Sequence, residues 1–460
     1  MATMPLQPGD RITLRLDSLA AGGEAVGRHE GLAVFAMWGC PGDEADVEVT
    51  EVSSRFARGL VRGVLTPSPD RIAAPCPHFA SCGGCQIQHI AYPAQLRHKT
   101  QMLRDALARI GGLAEVDTGD IWSMDDPWRY RNRATYHADV DGSGVLRLGF
   151  TLHHSHEVFA LRDCALQHPL AERTRAAALD VLSRLAQGPT ERAALLGLET
   201  LVSFSDGRAI ATLVCQGRPP FVASLAEELM ARVDGLAGVC LARARGRLSP
   251  HRSPSESIAG EEHLSERLGG SAYRVSPDSF FQVNPTQASR LVKLVSDWAS
   301  VAGRGGVLDL YTGVGTFLLP LARAAHHAVG VESDASAFAD ARANLRKWRL
   351  GNVTLYERKV ERILPRFAER DWRVDVIVLD PPRKGCGPIV CAAVARLNPR
   401  RIILISCHPA TLARDLKSLA SLGYPVRRLQ PLDMFPHTWH VEAAALCEPA
   451  SRVALPSHPQ

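Results

Sequence analysis

The stretch GVLDLYTGVGTFLLPLARAA, residues 306–325, determines the architecture of the C-terminal part of this chain. Its apolar start predicts a buried strand, its glycine-rich centre a tight loop, and its apolar end a helix. Gly313 and Gly315 would allow the backbone to approach a ligand closely. The next predicted strand, HAVGVES, ends at Glu332, where an acid can accept both ribose hydroxyls of a nucleoside. These features predict a Rossmann-like α/β domain that binds NAD or S-adenosylmethionine.

Further predicted strands of this domain end at acids or at a possible nucleophile. VDVIVLDPPRKG predicts a buried strand that stops at Asp380, and RIILISCHPATLARDL predicts a strand followed by Cys407 and a helix. The last element, FPHTWHVEAAALCE, brings Glu442 towards the same edge. Open sheets bind ligands at the carboxyl ends of their strands. A helix N-terminus lowers the pKa of a nearby thiol, so Cys407 is a candidate nucleophile, with an inert core cysteine as the alternative.

The N-terminal part has a different pattern. Residues 10–65 alternate apolar and polar positions in about five short strands, which is typical of an OB-like barrel. Its basic and aromatic residues suit single-stranded nucleic acid, or they form a solvated edge of a structural domain. The arginines of WRYRNRATYH, residues 128–137, are likewise either phosphate-binding groups or a solvated face.

Three cysteines lie close together in CPHFASCGGCQIQH, residues 76–89. Cys76, Cys82 and Cys85 have C-x5-C-x2-C spacing, and Cys164 is a distant fourth candidate. Four thiolates bind either zinc or an iron–sulfur cluster. Structural zinc sites usually pair two C-x2-C knuckles, whereas this segment has one, so the spacing favours a [4Fe–4S] cluster.

Composition sets wider limits. The chain has 460 residues, of which 46% are hydrophobic and 22% charged, as in soluble globular proteins of two to four domains. It has no apolar run long enough to cross a membrane and no signal peptide, so we expect a cytoplasmic protein. A net charge of +5 permits a nucleic-acid partner without demonstrating one. Eleven cysteines in such a protein favour metal binding or catalysis over disulfides.

The motifs taken together resemble the S-adenosylmethionine-dependent RNA uracil-C5 methyltransferases, which form 5-methyluridine. The resemblance covers nearly the whole chain. It rests on the cysteine cluster and on YRNRATYH, FFQVNP, DLYTGVGTF, LDPPRKG, ISCHPATLARDL and DMFPHTWHVE.

This resemblance implies an α/β protein of three domains. We expect a TRAM-like OB β-barrel over residues 1–66 and a central α+β RNA-binding domain with a four-cysteine iron–sulfur site over 67–280. A Rossmann-like class I methyltransferase domain would follow over 281–450, and a disordered tail over 451–460.

The resemblance also implies roles for single residues. Cys407 matches the nucleophile that adds to uracil C6, and Glu442 matches the base that later removes the C5 proton. The S-adenosylmethionine contacts fall on Gln282, Tyr311, Gly313, Gly315, Thr316, Glu332 and Asp380. The [4Fe–4S] ligands fall on Cys76, Cys82, Cys85 and Cys164. Thr316 and Lys359 depart from the commoner pattern, which leaves adenine recognition open.

The substrate that the resemblance favours is 23S rRNA. Relatives that act on tRNA generally lack the barrel and the cluster, whereas those that act on 23S rRNA carry the cluster and often the barrel. The alternatives are a tRNA or dual-site enzyme and an RNA-binding assembly factor. The presence of Cys407, Glu442 and Asp380 together weighs against the assembly factor. We expect a monomer with no membrane and no obligate protein partner.

Overall fold

The computed structural model describes residues 6–153, 155–246, 252–301, 305–368 and 374–450. The predicted tail, residues 451–460, lies outside these ranges. Within them, no helix is both long and apolar enough to cross a bilayer.

The N-terminal domain is a closed five-stranded barrel, as the sequence predicts. Along its first strand, Ile12, Leu14 and Leu16 are buried while the residues between them are exposed, so the alternation in the sequence fills the barrel interior. Its strands, in the spatial order β1-β2-β3-β5-β4, are β1 (Arg11–Leu19), β2 (Ala25–His29), β3 (Leu32–Met37), β4 (Glu44–Val52) and β5 (Phe56–Thr66).

A long helix and a six-stranded sheet follow the barrel. Helix α1 (Tyr92–Ala106) continues into a π-helical turn, Leu107–Gly111. The sheet has the order β11-β10-β9-β8-β6-β7, and helices α2 and α4 pack against it. Its elements are β6 (Arg133–Val140), β7 (Leu146–Gly149), α2 (Pro169–Leu185), α3 (Pro189–Ala194), β8 (Leu195–Ser203), β9 (Arg208–Cys215), α4 (Val222–Arg232), β10 (Leu236–Arg243) and β11 (Glu256–Gly260).

The C-terminal domain is a seven-stranded sheet with the order β16-β15-β14-β17-β18-β20-β19, preceded by a hairpin, β12 and β13. All neighbouring strands in it are parallel except β20, which is antiparallel to both β18 and β19. The elements are β12 (Leu264–Leu268), β13 (Ser271–Val275), α5 (Pro285–Ala299), β14 (Gly306–Leu310), α6 (Leu318–Ala324), β15 (His327–Glu332), α7 (Ala335–Lys347), β16 (Val353–Glu357), α8 (Val360–Ala368), β17 (Val376–Leu379), α9 (Gly387–Arg396), β18 (Arg401–Ser406), α10 (Pro409–Ser421), β19 (Val426–Leu432) and β20 (Glu442–Cys447).

Two segments before residue 281 share the core of the C-terminal domain. Leu103 of α1 is fully buried in one cluster with Leu416 of α10. Leu268 of the hairpin is fully buried in another cluster with Val292 of α5. The α/β class and the barrel are confirmed, whereas the domain limits at residues 66 and 280 stay predictions.

The strand order of the C-terminal sheet creates one functional edge. The chain direction across the sheet reverses between β14 and β17, and ligands bind outside the carboxyl ends of strands at such a point. Because β20 is antiparallel, its first residue lies at this same edge. Ser406 of β18 pairs with Ala443 of β20, so one step further along the register Cys407 lies opposite Glu442.

Candidate active site

Cys407 lies between β18 and α10, with its thiol half-buried at the functional edge. Burial, followed by the charge of Glu442, raises the pKa of this thiol to about 11. Arg383 acts in the opposite direction but does not offset them. The expectation that the helix N-terminus lowers the thiol pKa was therefore wrong, because desolvation and a carboxyl neighbour outweigh the helix.

Two acids, the partly buried Asp380 and the buried Glu442, lie beside this thiol. Asp380 follows β17 and accepts a hydrogen bond of 3.2 Å from the Gln282 side chain. Burial raises the pKa of Asp380 to about 7. Burial and the charge of Asp380 raise the pKa of Glu442 well above its usual range. Burial therefore favours the neutral form of Glu442, and a cation arriving beside it would favour the carboxylate.

A third acid, Asp309, lies under the glycine loop at the end of β14. It is fully buried, it accepts a hydrogen bond from the Thr312 hydroxyl, and burial raises its pKa to about 7. Its charge interacts with that of Asp380. Sequence reasoning missed this residue, although an acid inside the apolar run GVLDL is a signal that could have found it.

The glycine loop has the backbone shape that a close ligand requires. Gly313 and Gly315 have φ values of 57° and 90°, and an ideal Cβ at Gly313 would meet no atom within 4 Å. Gly313 donates its N–H to a carboxylate oxygen of Glu332 at 2.9 Å. The other oxygen of Glu332 accepts from the backbone of Ser333 and Asp334. A carboxylate has about four lone-pair sites, so Glu332 retains capacity for a ribose hydroxyl.

The remaining predicted cofactor contacts surround this loop. Tyr311 has a positive φ of 64° and donates a hydrogen bond of 3.4 Å to Glu361 of α8. Thr316 is nearly buried, and its carbonyl accepts a hydrogen bond of 2.9 Å from Tyr273. Lys359 is exposed immediately before α8, and its carbonyl accepts from the backbone of Arg362. The backbone N–H of its neighbour Arg358 donates to the Glu332 carbonyl at 2.8 Å, so Lys359 follows a residue bonded to the strand that ends at Glu332.

Aromatic and basic groups that sequence reasoning did not assign lie next to the thiol. The guanidinium of Arg383 and the ring of His440 are 3.4 Å apart. The rings of His440 and Trp439 lie 4.1 Å apart between centroids, and Trp439 also meets the edge of His408. Their signal is the basic and aromatic content of LDPPRKG and FPHTWH, which suits an RNA-contacting surface.

The predicted metal ligands lie in a different place. Cys76, Cys82, Cys85 and Cys164 all line one cavity of about 580 Å³. Burial, and then the charges of the other three thiols, raises the pKa of Cys85 to about 12. Within the described ranges, no three His, Cys, Asp or Glu side chains are arranged to hold a metal ion. The structure thus brings the four thiols to one cavity without arranging them as ligands.

Family comparisons cover most of the chain. The family profile described as tRNA (uracil-5-)-methyltransferase matches residues 91–449, and that of the TRAM domain matches residues 5–61. An uncharacterized RNA methyltransferase of Thermosynechococcus vestitus is 38% identical over 450 residues, which are 96% of this chain and 98% of that protein. Another from Gloeobacter violaceus is 35% identical over 460 residues, covering 97% and 100%.

A solved structure is similar over nearly the full length. It is the Pyrococcus abyssi tRNA (uracil-54, C5)-methyltransferase in complex with S-adenosyl-L-homocysteine. The TM-score is 0.72 at 25% sequence identity, and the match covers 95% of this chain and 100% of the other.

Proposed function

The chain belongs to the tRNA (uracil-5-)-methyltransferase family of S-adenosylmethionine-dependent RNA methyltransferases. On that basis we propose that it methylates a uridine at C5, with Cys407 as the nucleophile and Glu442 as the base. The observation that carries the proposal is the juxtaposition of this thiol and this buried carboxyl at one sheet edge. A nucleophile and a base must both reach the same pyrimidine ring, and the register of β18 with β20 supplies that proximity.

The role of Cys407 follows from the weak nucleophilicity of uracil C5. When the Cys407 thiolate adds to C6, the ring becomes an enolate with carbanion character at C5. S-adenosylmethionine, when bound, supplies an electrophilic methyl group to this carbon. The high pKa of the free thiol means that its proton must pass to solvent as the ring binds, and Arg383 is the adjacent group that favours the thiolate.

Glu442 would complete the reaction. Its carboxylate takes the proton from C5, the C5–C6 double bond re-forms, and the Cys407 thiolate leaves. A carboxyl with a raised pKa is a stronger base once ionised, which suits removal of a carbon-bound proton.

The cofactor would be held by the loop around Gly313. The positive φ of Gly313 and the open space beside it fit a close ligand, and Glu332 fits a ribose. Gln282 and Asp380, joined by a hydrogen bond, are proposed to position the methyl-bearing end of S-adenosylmethionine beside Cys407. Tyr311, Gly315 and Thr316 would complete the pocket.

The four cavity cysteines are proposed to hold a [4Fe–4S] cluster. Their donor set fits, because four thiols line one cavity and each thiolate charge raises the pKa of its neighbours, a cost that iron would offset. The cluster would stabilise the loop around Gly83 and Gly84, and no catalytic step passes through it.

The proposed substrate is 23S rRNA. The support is the resemblance, in which the barrel and the cysteine cluster occur together in enzymes that modify this RNA. A cytoplasmic location and a monomeric state would accompany it, and both stay predictions.

A tRNA substrate is the second candidate. It is favoured by the likeness to the Pyrococcus abyssi enzyme, named as acting on uracil-54 of tRNA, which matches 95% of this chain. A protein named for tRNA thus spans the barrel region as well, which weakens the barrel as an argument for rRNA.

Tritium release separates these candidates. RNA labelled with tritium at uracil C5 is incubated with S-adenosylmethionine and the protein, using unmodified 23S rRNA and unmodified tRNA in parallel. We expect release from rRNA alone. Release from tRNA alone would keep the reaction and overturn the rRNA substrate. No release from either RNA would overturn the proposed reaction.

A further inference from the structure

Residues 433–441, which connect β19 to Glu442, are held mainly by parts of the molecule that are distant in sequence. This connecting segment has no regular secondary structure, yet most of it is buried. Glu442 is fixed on one side by the pairing of β20 with β18. On its other side, the position of Glu442 depends on how the connecting segment is held.

The start of the connecting segment is held by a buried ion pair. Lys99 of α1 and Asp433 are both 0% exposed, and the ammonium lies 2.6 Å from the carboxylate. The same ammonium donates to the carbonyl of Phe435 at 3.0 Å. A buried ammonium with two acceptors on one segment fixes that segment strongly, because breaking the ion pair with Asp433 leaves unpaired charges buried in the protein.

The centre of the connecting segment is held around His437. The Gln95 side chain accepts from the His437 backbone N–H at 3.1 Å and also contacts its ring nitrogen at 3.2 Å. Trp128 stacks on the same ring, with centroids 3.8 Å apart. His437 has a φ of 67°, a conformation that a non-glycine residue keeps only when its surroundings impose it.

The same segment is also joined to the loop that follows the cysteines. The backbone N–H groups of Gln86 and Ile87 both donate to the His437 carbonyl at 3.2 Å. The hydroxyl of Tyr130 donates to the carbonyl of Pro436 at 3.1 Å. The connecting segment is therefore positioned mainly by α1 and its neighbours, and within it Thr438 adds hydrogen bonds to Phe435 and His440.

We propose that Lys99 and Gln95 are positioning residues for the elimination step, acting through Asp433 and His437 on Glu442. The inference rests on the proposed function. In that step Glu442 takes the C5 proton, the C5–C6 bond becomes double, and the bond from C6 to the Cys407 sulfur breaks. Addition of Cys407 and methyl transfer do not use the Glu442 carboxylate, so loosening the connecting segment slows only the last step.

The test separates the steps by the choice of RNA. With 5-fluorouridine at the target position, C5 carries fluorine instead of a removable proton, so the covalent adduct forms and persists without the base. The variants are Lys99→Met and Gln95→Met. A double variant, Lys99→Met with Asp433→Asn, removes both charges and guards against loss of folding from an unpaired buried carboxylate.

We expect the variants to form the 5-fluorouridine adduct at about the wild-type rate. Their kcat on normal RNA should fall about 10- to 100-fold, KM should fall with it so that kcat/KM is nearly unchanged, and a methylated covalent adduct should accumulate on denaturing gels. The matched control is Arg71→Met. It breaks another ion pair, with the buried Asp43, which lies in the barrel rather than at the connecting segment. It should accumulate no adduct.

Two results would overturn the inference. Equal losses of fluorouridine adduct and of turnover would show that these residues support the fold in general. Wild-type turnover in the double variant would show that the ion pair is not needed for the reaction. If the wild-type protein itself forms no adduct with any 5-fluorouridine RNA, the proposed function fails, and this inference fails with it.

Discussion

The active-site edge and the cysteine cavity both contain buried thiols, but the neighbours of those thiols differ. Burial is the main cause that raises the pKa of Cys407 to about 11 and that of Cys85 to about 12. Next to Cys407 lie Glu442 and Arg383, which are groups that move protons or balance charge. The charged neighbours of Cys85 are the other three thiols of the cavity. The pKa alone therefore does not distinguish a nucleophile from a metal ligand.

The two regions also differ in how the chain builds them. The active-site edge is set by the order and register of strands in one sheet, parallel for β17 and β18 and antiparallel for β20, so residues far apart in sequence meet at one place. The cysteine cavity is lined by irregular loops around Gly83 and Gly84, by the segment before α2 and by one side of β6. The catalytic residues lie at the ends of strands, whereas the four cysteines lie on loops and would gain most from a bound cluster.

The strongest effect should arise at the nucleophile. Cys407→Ala should lower methylation by at least about 10³-fold, because this residue supplies the sulfur that adds to C6. RNA binding should persist, measured by filter retention. Cys391→Ala is the control, since this buried thiol lies on α9 away from the edge. Substantial methylation by the Cys407 variant would remove this thiol from the reaction.

Replacing the base should slow the elimination step without stopping the steps before it. Glu442→Gln keeps the shape of the side chain but cannot take a proton, so addition and methyl transfer proceed while elimination slows about 10²- to 10⁴-fold. The check is a covalent protein–RNA band on denaturing gels with S-adenosylmethionine and normal RNA. Absence of that band, with Cys407 intact, would remove Glu442 from the base role.

Replacing a cysteine of the cavity should change the metal content and the stability of the protein. Cys85→Ser should reduce iron per chain and lower the free energy of unfolding by more than about 3 kcal/mol, because a ligand is lost. Cys215→Ser is matched to it, since Cys215 is buried in the central sheet and its pKa is raised by burial alone. Equal iron content in both variants, measured by elemental analysis, would argue against these ligands.

A smaller change should appear in the titration of Cys407. The Glu442 carboxylate raises the thiol pKa, so Glu442→Gln should lower it and make the thiol react a few-fold faster in alkaline solution. Below the pKa of Glu442 that carboxyl is neutral, so the two proteins should then react alike. Peptide-resolved alkylation across pH measures this, with Cys391 as the internal reference. An unchanged profile would show that the two groups do not interact.

The sequence predicts the strands and the positions of the site residues better than it predicts the pKa values of those residues. Asp380 and Cys407 each follow a parallel strand, and Glu442 begins the antiparallel strand β20, so all three lie at one edge of the sheet. The direction of the thiol pKa was wrong, because burial and the Glu442 charge depend on packing across the sheet. The acid within the apolar strand GVLDL was a usable signal for Asp309. The strand pattern does not reveal, however, that the Thr312 hydroxyl packs against this carboxyl.

Long-range packing explains the other omissions. Lys99 has the pattern of a solvated charge on an amphipathic helix, yet it is fully buried against a residue 334 positions away. The contact depends on how α1 lies on the C-terminal domain, which no local pattern records. For the same reason the four cysteines could be grouped by spacing, but their arrangement within the cavity could not.

Mapping the covalent adduct would examine the roles of both thiol regions at once. Wild-type protein is incubated with S-adenosylmethionine and 5-fluorouridine-substituted substrate RNA, digested with protease and nuclease, and analysed by peptide mass spectrometry. We expect one methylated fluorouridine nucleotide attached to the peptide that contains Cys407. Attachment to one of the cavity cysteines, or to any other residue, would show that Cys407 is not the nucleophile.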